Sequence, residues 1–245
     1  MTSVSRGIKA LYTDAYGDPE ATRWRDVGAV EKADNVTRLW VKSGLTPHRP
    51  TVVEIGCGEG ALSAALAGRS FFSTYRGFDI STSGVTAARG REVPDATFTV
   101  VEGDRIPVQD RSADLVVLSH VVEHLEHPRV LLNEALRIAP HVFVEVPLEL
   151  HWRAPRDYRL DALGHINKYN ATAIRHLVQS CGFNVLAAET TCVSRASAQF
   201  FDRSSRTRVN WEIKSRLLKI APPLARQLFT YHEALLLRSP ELRKS

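Results

Sequence analysis

The sequence predicts an α/β protein, in which capping helices precede a doubly wound, mostly parallel sheet of seven strands and a helical extension follows it. From residue 51 onward, short β-branched apolar runs alternate with helical segments, which is the order that builds parallel sheets. These runs show no alternation of apolar and polar residues, so we expect strands buried on both faces. A glycine-rich segment follows the first run and opens a helix, where backbone N–H groups are available to a ligand.

Length and composition are those of a globular protein. The chain has 245 residues, of which 44% are hydrophobic and 24% charged, and this excludes disordered and collagen-like classes. No run of about 18 apolar residues occurs, and the first residues lack the apolar centre of a signal peptide. Three widely spaced cysteines argue against a disulfide framework, so we expect a cytoplasmic protein without a transmembrane segment.

The first fifty residues are predicted to form a helical cap. Apolar residues recur at near-helical spacing between Ala29 and Val41, and Ser43-Gly44 followed by Pro47 ends the pattern. We therefore assign residues 1–50 to an N-terminal cap and residues 51–202 to the core domain.

The core is predicted to begin with five parallel strands joined by helices. The strands are expected at Thr51–Ile55, Thr74–Ile80, Thr97–Val101, Asp114–Ser119 and Val142–Val146. The intervening helices are expected at Ala61–Gly68, Thr82–Arg89 and Pro128–Ala139. Two further runs, Phe183–Thr190 and Val193–Phe201, follow a helix at Ala171–Ser180 and are expected to pair antiparallel at one edge.

Residues 203–245 are predicted to form a basic helical extension. Two helices, about Asn210–Ile220 and Leu224–Leu237, flank Pro222-Pro223. Residues 201–245 carry ten Lys and Arg against four Asp and Glu, an excess that is more often a solvated helical face than a surface for phosphate or membranes. The leucines of this extension could pack on their own domain or join two copies as a homodimer.

The strongest local signal is the segment Glu54-Ile-Gly56-Cys57-Gly58-Glu-Gly60, directly after the first predicted strand. Glycines permit turns with positive φ and allow a ligand to approach the backbone closely. The glycine pattern alone also passes a relaxed dinucleotide fingerprint, so a nicotinamide-dependent oxidoreductase stays open at this point.

Polar residues follow three further strands at the same edge of the predicted sheet. Asp79 ends the second strand, where a carboxylate can accept both hydroxyls of a ribose. Asp104 follows the third strand, at a position from which an adenine amino group can be read, and Ser119-His120 ends the fourth. Because the carboxyl ends of parallel strands converge, these residues point to a nucleoside-shaped ligand.

Together these segments resemble the class I S-adenosylmethionine-dependent methyltransferases, a Rossmann-like family, in their small-molecule branch (type 11/23). Glu54–Gly60 is similar to the family's first motif and Gly77–Ser81 to its second. Asp114–Pro128, which includes Val-Val-Glu123-His124-Leu, resembles the motif of the fourth strand and the helix start after it. The resemblance covers about residues 50 to 190.

The resemblance implies that the cofactor is S-adenosyl-L-methionine, which is converted to S-adenosyl-L-homocysteine. It implies that Gly56 and Gly58 pass beneath the methionine part, that Asp79 binds the ribose, and that Asp104 with Arg105 flanks the adenine. A cation on the N-terminal helices, Lys32 or one in Arg23–Arg25, could pair with the cofactor's carboxylate. The expected cofactor-binding residues are Glu54, Gly56, Cys57, Gly58, Gly60, Asp79, Ile80, Asp104, Arg105, Ser119, His120 and Lys32.

Histidines are the candidates for catalysis. Methyl transfer to a hydroxyl needs a base of near-neutral pKa, which favours this residue type. His124, just after the fourth strand, and His165, in a Gly-His segment after the fifth, are the expected bases, with His120 beside the cofactor. His124 and His127 could share a helical face as metal ligands, but Pro128 indicates a turn and no third ligand is evident, so no metal site is predicted.

The long loop between Pro147 and Asn170 is predicted to be a lid that binds the acceptor. Its side chains suit stacking on a ring and pairing with a carboxylate or phosphate, and they include Trp152, Arg153, Arg156, Tyr158 and Arg159. A surface loop with solvated arginines is the alternative.

The sequence thus predicts O-methylation of a small molecule or a sugar-containing biosynthetic intermediate, with glycosylated or anionic acceptors fitting the loop. An RNA-directed methyltransferase is one alternative, supported by the basic extension. The motif of enzymes that methylate base amines is absent, because Ser119-His120-Val-Val occupies its place, and nucleic acid is therefore not the expected partner. A non-catalytic cofactor-binding partner subunit is the other alternative.

Overall fold

The computed structural model describes residues 16–155 and 164–240. Its strands are β1 (Thr51–Ile55), β2 (Thr74–Asp79), β3 (Ala96–Val100), β4 (Leu115–Ser119), β5 (His141–Pro147), β6 (Asn184–Thr191) and β7 (His232–Arg238). Its helices are α1 (Pro19–Lys42), α2 (Ala61–Ala67), α3 (Thr82–Gly90), α4 (Pro128–Ile138), α5 (Ala171–Ser180), α6 (Arg195–Ala198), α7 (Ser205–Ile220) and α8 (Pro222–Leu228), and a 3₁₀ turn covers Val122–His124.

All seven strands form one sheet in the order β3-β2-β1-β4-β5-β7-β6. The first five are parallel, and β7 lies antiparallel between β5 and β6. The predicted doubly wound, mostly parallel sheet is therefore confirmed. From β1 the strand order runs towards one edge of the sheet, through β2 and β3, and from β4 it runs towards the other edge, through β5. A crevice therefore opens between β1 and β4 at their carboxyl ends, which is where such sheets bind ligands.

Two apolar layers, one on each face of the sheet, form the core. Neighbouring residues of one strand alternate between the layers: Val116 and Val144 belong to one, Val117 and Phe143 to the other. Helix α1 covers the second layer with one stripe, through residues such as Trp40. Pro19 stands at its first turn, where the missing N–H is not needed, and the side chain of Asp18 caps it.

The helix predicted at Leu224–Leu237 is wrong beyond residue 228. Helix α8 ends at Leu228, and the Ala-Leu-Leu-Leu run enters the sheet as β7, where Leu235, Leu236 and Leu237 are almost completely buried. A short run that is apolar throughout has no periodicity to distinguish a helix from a strand buried on both faces. Pairing with distant strands decides between them here.

The strand predicted at Val193–Phe201 is also wrong. This stretch contains α6, whose first turn is capped by the side chain of Ser194. The antiparallel partner of β6 is β7 instead. We predicted that β6 pairs with the segment that follows it directly, but β6 pairs with β7, which begins about forty residues later in the chain. No local sequence pattern indicates such a pairing.

None of the helices among the described residues combines the length and apolar character that crossing a membrane requires.

Truncating a leucine of β7 tests the strand. Leu236→Ala removes a side chain that is 1% exposed, so we expect a loss of about 2 to 5 kcal/mol in the free energy of unfolding, measured by denaturant titration. Leu224→Ala, at a leucine that is 44% exposed, is the matched control and should cost at most about 0.5 kcal/mol. Equal effects of the two substitutions would contradict burial of β7 in the sheet.

Candidate functional site

The glycine-rich loop between β1 and α2 is held tightly against the neighbouring strands. The N–H groups of Gly56 and Cys57 donate to the carbonyl of Phe78, at 2.7 and 3.1 Å. Gly56 has φ of 82°, and a Cβ at this residue would lie 2.4 Å from Cγ2 of Val121. Only glycine therefore fits here, because any other residue would strain the backbone and its Cβ would clash with the side chain of Val121.

Asp79 connects this loop to the end of β2. Its Oδ2 accepts from the N–H of Gly58 at 2.7 Å, and its Oδ1 accepts from the N–H of Ser81 at 2.8 Å. Burial raises the pKa of the Asp79 carboxyl, although these N–H donors act in the opposite direction. The N–H of Ile80 also acts on the carboxylate, and two oxygens together offer about four acceptor positions, so the group retains capacity for a hydroxyl donor from a ligand.

A cleft lies at the carboxyl ends of the central strands, as predicted. Its walls combine apolar side chains of the strand ends with a few polar groups. The sequence-predicted residues that line it are Gly56, Asp79, Ile80, Asp104, His120 and His124. The other lining residues are Tyr16, Ile55, Phe78, Val101, Gly103, Ile106, Val121, Leu125 and Leu131.

The remaining predicted residues stand outside the cleft lining. They are Glu54, Cys57, Gly58, Gly60, Arg105, Ser119, Lys32 and His165. Arg105 is 72% exposed and lies 3.6 Å from Glu134, so its side chain belongs to a surface ion pair. Cys57 is buried behind the loop, and burial raises the pKa of its thiol well above the usual range.

Glu54 lies behind the glycine loop, fully enclosed by protein. It accepts a hydrogen bond from the hydroxyl of Tyr75. Burial raises the pKa of Glu54 to about 7, against the opposing effects of the Tyr75 hydrogen bond and of the Lys32 charge. Lys32 thus acts on this carboxyl from α1 through its electric field.

Helix α1 is tied to the glycine loop by an ion-pair cluster around Glu59. Arg25 donates to both carboxylate oxygens, at 2.9 and 3.1 Å, and Thr22 donates to one of them at 2.9 Å. The guanidinium of Arg25 also lies 4.9 Å from the ring centroid of Tyr16. Sequence reasoning missed Tyr16, which follows no motif and reaches the cleft from the chain that precedes α1.

His120 stands between two buried carboxylates. Its Nε2 lies 3.3 Å from Oε1 of Glu145 and its Nδ1 lies 3.3 Å from Oε1 of Glu123. Burial alone would lower the pKa of His120, but these two carboxylates raise it. The backbone of His120 has φ of 57°, an uncommon value for a residue with a Cβ, which turns the chain sharply after β4.

Glu145 and His232 complete this buried network, and sequence reasoning missed both. His232 Nδ1 lies 3.6 Å from Glu145 Oε1, and Asn35 donates to Oε2 of Glu145 at 3.1 Å. The two histidines beside it hold the pKa of Glu145 well below its usual range despite burial. Glu145 could have been noticed in the sequence, because a carboxylate inside a buried strand is unusual. His232 could not, because it lies where a helix was predicted.

The two predicted bases, His124 and His165, are neighbours in space. Their ring centroids are 4.9 Å apart. His124 Nδ1 lies 3.0 Å from the carbonyl oxygen of Gly164, and His165 Nδ1 lies 3.0 Å from Oε2 of Glu149. Burial is the main cause that lowers the pKa of His124. His124 lines the cleft, and His165 is buried directly behind it.

A docked backbone segment brings His165 to this position. The N–H groups of Ile166 and Asn167 both donate to the carbonyl of Glu123, at 3.1 and 2.9 Å. The side chain of Asn167 donates to the carbonyl of Leu125 at 2.6 Å. The segment after residue 163 is thereby fastened to the 3₁₀ turn that carries His124.

The predicted lid is described in part. Its first residues run beside the C-terminal end of α8, where the N–H of Trp152 donates to the carbonyl of Gln227 at 3.0 Å. The side chain of Trp152 is 72% exposed, and Arg153 lies 5.6 Å from the ring centroid of Phe229. The predicted lid residues Arg156, Tyr158 and Arg159 lie outside the described residues.

A protein-family model described as "Methyltransferase domain" matches residues 23–188. This span is more than half of the chain, so the chain belongs to that family. The resemblance carried by the motifs is confirmed: the chain belongs to the class I S-adenosylmethionine-dependent methyltransferases, a family whose cofactor is S-adenosylmethionine.

Two curated relatives match over part of their length. The chain is 33% identical over 93 residues to the mitochondrial ubiquinone biosynthesis O-methyltransferase of Candida albicans, across 36% of this chain and 28% of that protein. It is 28% identical over 138 residues to an uncharacterized methyltransferase of Mycobacterium leprae, across 56% of this chain and 51% of that protein. The matched part thus spans about half of the second relative and less of the first.

A solved structure shares the fold. Phosphoethanolamine N-methyltransferase 2 of Haemonchus contortus, in complex with phosphomonomethylethanolamine and S-adenosylhomocysteine, superposes with a TM-score of 0.62 at 15% identity. The match covers 85% of this chain and 52% of that chain. At this identity the likeness is one of fold.

Replacing the buried Glu54 tests its raised pKa. Because this pKa is raised from 4.5 to about 7, the folded state holds the proton more tightly than the unfolded chain does. Its contribution to stability is therefore complete below about pH 4.5 and is lost as the pH rises through about 7, a change of about 3 kcal/mol.

Glu54→Gln keeps an acceptor for Tyr75 and removes the titration. The free energy of unfolding should therefore fall between pH 5 and pH 8 by about 2 to 3 kcal/mol more in the wild type than in this variant. Denaturant titrations at both pH values measure the difference. The exposed Glu126→Gln is the control and should follow the wild type, and identical pH dependence of all three proteins would refute the raised pKa.

Proposed function

We propose that the protein transfers the methyl group of S-adenosylmethionine to a hydroxyl group of a small molecule or a sugar-containing biosynthetic intermediate. The observation that carries this proposal is the position of His124, which lines the same cleft as Asp79 and Asp104 and lies against His165. One part of the cleft suits a nucleoside and another offers imidazole to an acceptor.

In this proposal the ribose hydroxyls bind Asp79, the adenine lies near Asp104, and the methionine part passes over Gly56. The carboxylate of Asp79 is held by two backbone N–H groups, so it is oriented before a ligand arrives. Tyr16 closes the cleft over the glycine loop, since a Cβ at Gly58 would come within 2.7 Å of its hydroxyl oxygen.

Imidazole supports a hydroxyl acceptor in particular. The cofactor supplies the electrophile, so the protein has to position the acceptor and accept its proton. His124 is the candidate that reaches the cleft, and His165, held by Glu149, supports it from behind. The relative from Candida albicans is an O-methyltransferase of ubiquinone biosynthesis, which agrees with this choice.

We further propose the cytoplasm as the compartment and a homodimer as the assembly. All three cysteines are free, as expected where thiols stay reduced. Helix α7 leaves Val209, Ile213 and Ile220 exposed, which provides an apolar surface for a second copy. The leucines of β7, which the sequence offered for the same contact, are buried in the sheet.

Transfer of label from S-adenosylmethionine tests the acceptor class. The protein is incubated with methyl-labelled cofactor and, separately, with a phenol panel, a sugar panel, a primary-amine panel and total RNA. We expect labelled methyl ethers from a hydroxyl-bearing panel. Label in amines alone, or in RNA with binding that falls steeply as salt rises, would overturn the proposal in favour of another acceptor.

Removing the His124 imidazole should separate catalysis from cofactor binding. In His124→Ala we expect kcat with the identified acceptor to fall by about 100-fold or more, the usual contribution of a positioned base, because the hydroxyl proton loses its acceptor. The Kd for S-adenosylhomocysteine, measured by calorimetry, should change less than about twofold. His127→Ala removes an exposed histidine three residues away and should leave both kcat and Kd unchanged. An unchanged kcat in His124→Ala would contradict the role of His124 as the base.

A further inference from the structure

Helix α7 lies on the surface, and its own domain leaves several of its apolar residues exposed. None of its 16 residues is buried, although a helix that packs on a core normally buries one stripe of residues. Its exposed aliphatic residues are Val209, Ile213 and Ile220. Ile220, the last residue of the helix, is 82% exposed.

The turn from α7 into α8 forms an apolar corner, which we define as Ile220, Pro222, Pro223 and Leu224. Leu224 and both prolines are exposed, as Ile220 is. The two prolines stand at the start of α8, where a missing N–H is tolerated and a fixed φ limits the motion of the turn. Single exposed apolar residues are common on protein surfaces, but several adjacent ones indicate an interaction surface.

Trp152 lies beside α8 as well. Its N–H donates to the carbonyl of Gln227, which follows Leu224 by about one turn of the helix, and its side chain is among the most exposed apolar ones. Leu150, two residues earlier, is also exposed. Tryptophan suits the boundary between water and a bilayer, because its ring is apolar and its N–H is polar.

The charges around the apolar corner are almost all positive. Residues 205–228 carry six Lys and Arg against one acidic residue, Glu212. Arg216 and Lys219, in the last turns of α7, are both exposed, and Arg216 lies 4.0 Å from Glu212. Arg153 follows Trp152 and is exposed too. Apolar side chains with cationic neighbours are complementary to an anionic bilayer, which takes both kinds of group.

An anionic bilayer accounts for both features of this surface. The sequence alone favours a solvated helical face for the basic residues, but the exposed apolar corner between them is not explained by solvation. RNA would pair with the arginines and leave the aliphatic side chains without a contact. A second copy of the chain can use Val209 and Ile213 without covering the corner, because Ile213 and Ile220 are about 10 Å apart along the helix.

We propose that the apolar corner, together with Trp152, docks on the surface of an anionic lipid bilayer. Ile220 and Leu224 enter the boundary between the headgroups and the acyl chains, while Arg216 and Lys219 contact the headgroups. The docking is interfacial, and it does not depend on which acceptor the enzyme methylates.

Co-sedimentation with lipid vesicles measures the docking. The full chain is mixed with vesicles of phosphatidylcholine and with vesicles in which about a third of the lipid is phosphatidylglycerol. We expect binding to the anionic vesicles that is at least about tenfold tighter than to the neutral ones and that weakens as salt rises. Tryptophan emission should shift to shorter wavelength on binding, and Trp152→Phe should remove most of this shift.

Substitutions at the corner test the apolar contribution. Ile220→Ser combined with Leu224→Ser should weaken binding to anionic vesicles at least about tenfold, because serine offers little apolar area to the bilayer. Val41→Ser combined with Val130→Ser, at exposed valines of α1 and α4, is the matched control and should bind as the wild type does. Unchanged midpoints of thermal unfolding show that both double variants are folded.

A second pair of variants tests the charges. Arg216→Gln combined with Lys219→Gln should weaken binding at least about tenfold, because each cation near the surface contributes to the attraction. Lys42→Gln combined with Arg111→Gln removes the same charge at exposed positions elsewhere and should have a much smaller effect.

Absence of vesicle binding, or equal binding to neutral and anionic vesicles, would overturn the proposed docking. Vesicle binding that survives in the Ile220→Ser, Leu224→Ser variant would also overturn it. If this variant instead dissociates a dimer, measured by light scattering, while vesicle binding is unchanged, the corner contacts a second copy. None of these outcomes bears on the proposed methyl transfer, which is assayed without lipid.

Discussion

The site depends on one buried carboxylate, that of Asp79. Its two oxygens receive backbone N–H groups from the loop after β1 and from the turn after β2. The loop after β1 and the turn after β2 are therefore fixed to each other through this side chain. Since the group keeps further acceptor capacity, the interaction that shapes the loop also presents the carboxylate that we propose binds the ribose.

The part of the cleft near His120 and His124 is organised by a different constraint, the burial of several charges. Glu123 and Glu145 are both fully enclosed, and His120 lies between them. Its positive φ turns the chain so that the ring reaches both carboxylates, and β7 contributes His232 to the same network. The last strand thus contributes a side chain to this network as well as buried leucines to the core.

The local patterns of the sequence were sufficient for the first five strands and the helices between them, because glycines, prolines and apolar runs mark each boundary. They also brought Gly56, Asp79, Asp104 and His124 to one edge of the sheet, where all four line the cleft, and the roles of these residues stay predictions. They failed for β7, since Leu235–Leu237 reads equally well as a helix. They could not find Tyr16, Glu145 or the contact of His165 with His124, because each depends on pairing between segments distant in the chain.

Calorimetry with S-adenosylhomocysteine tests the central claim, that the loop held by Asp79 binds the cofactor. The account predicts saturable binding to the wild type, no binding of NADH, and a loss of at least about 100-fold in affinity in Asp79→Ala. Asp34→Ala, at an exposed aspartate paired with Arg69, is the control and should bind as the wild type does. Unchanged affinity in a folded Asp79→Ala protein would contradict the account.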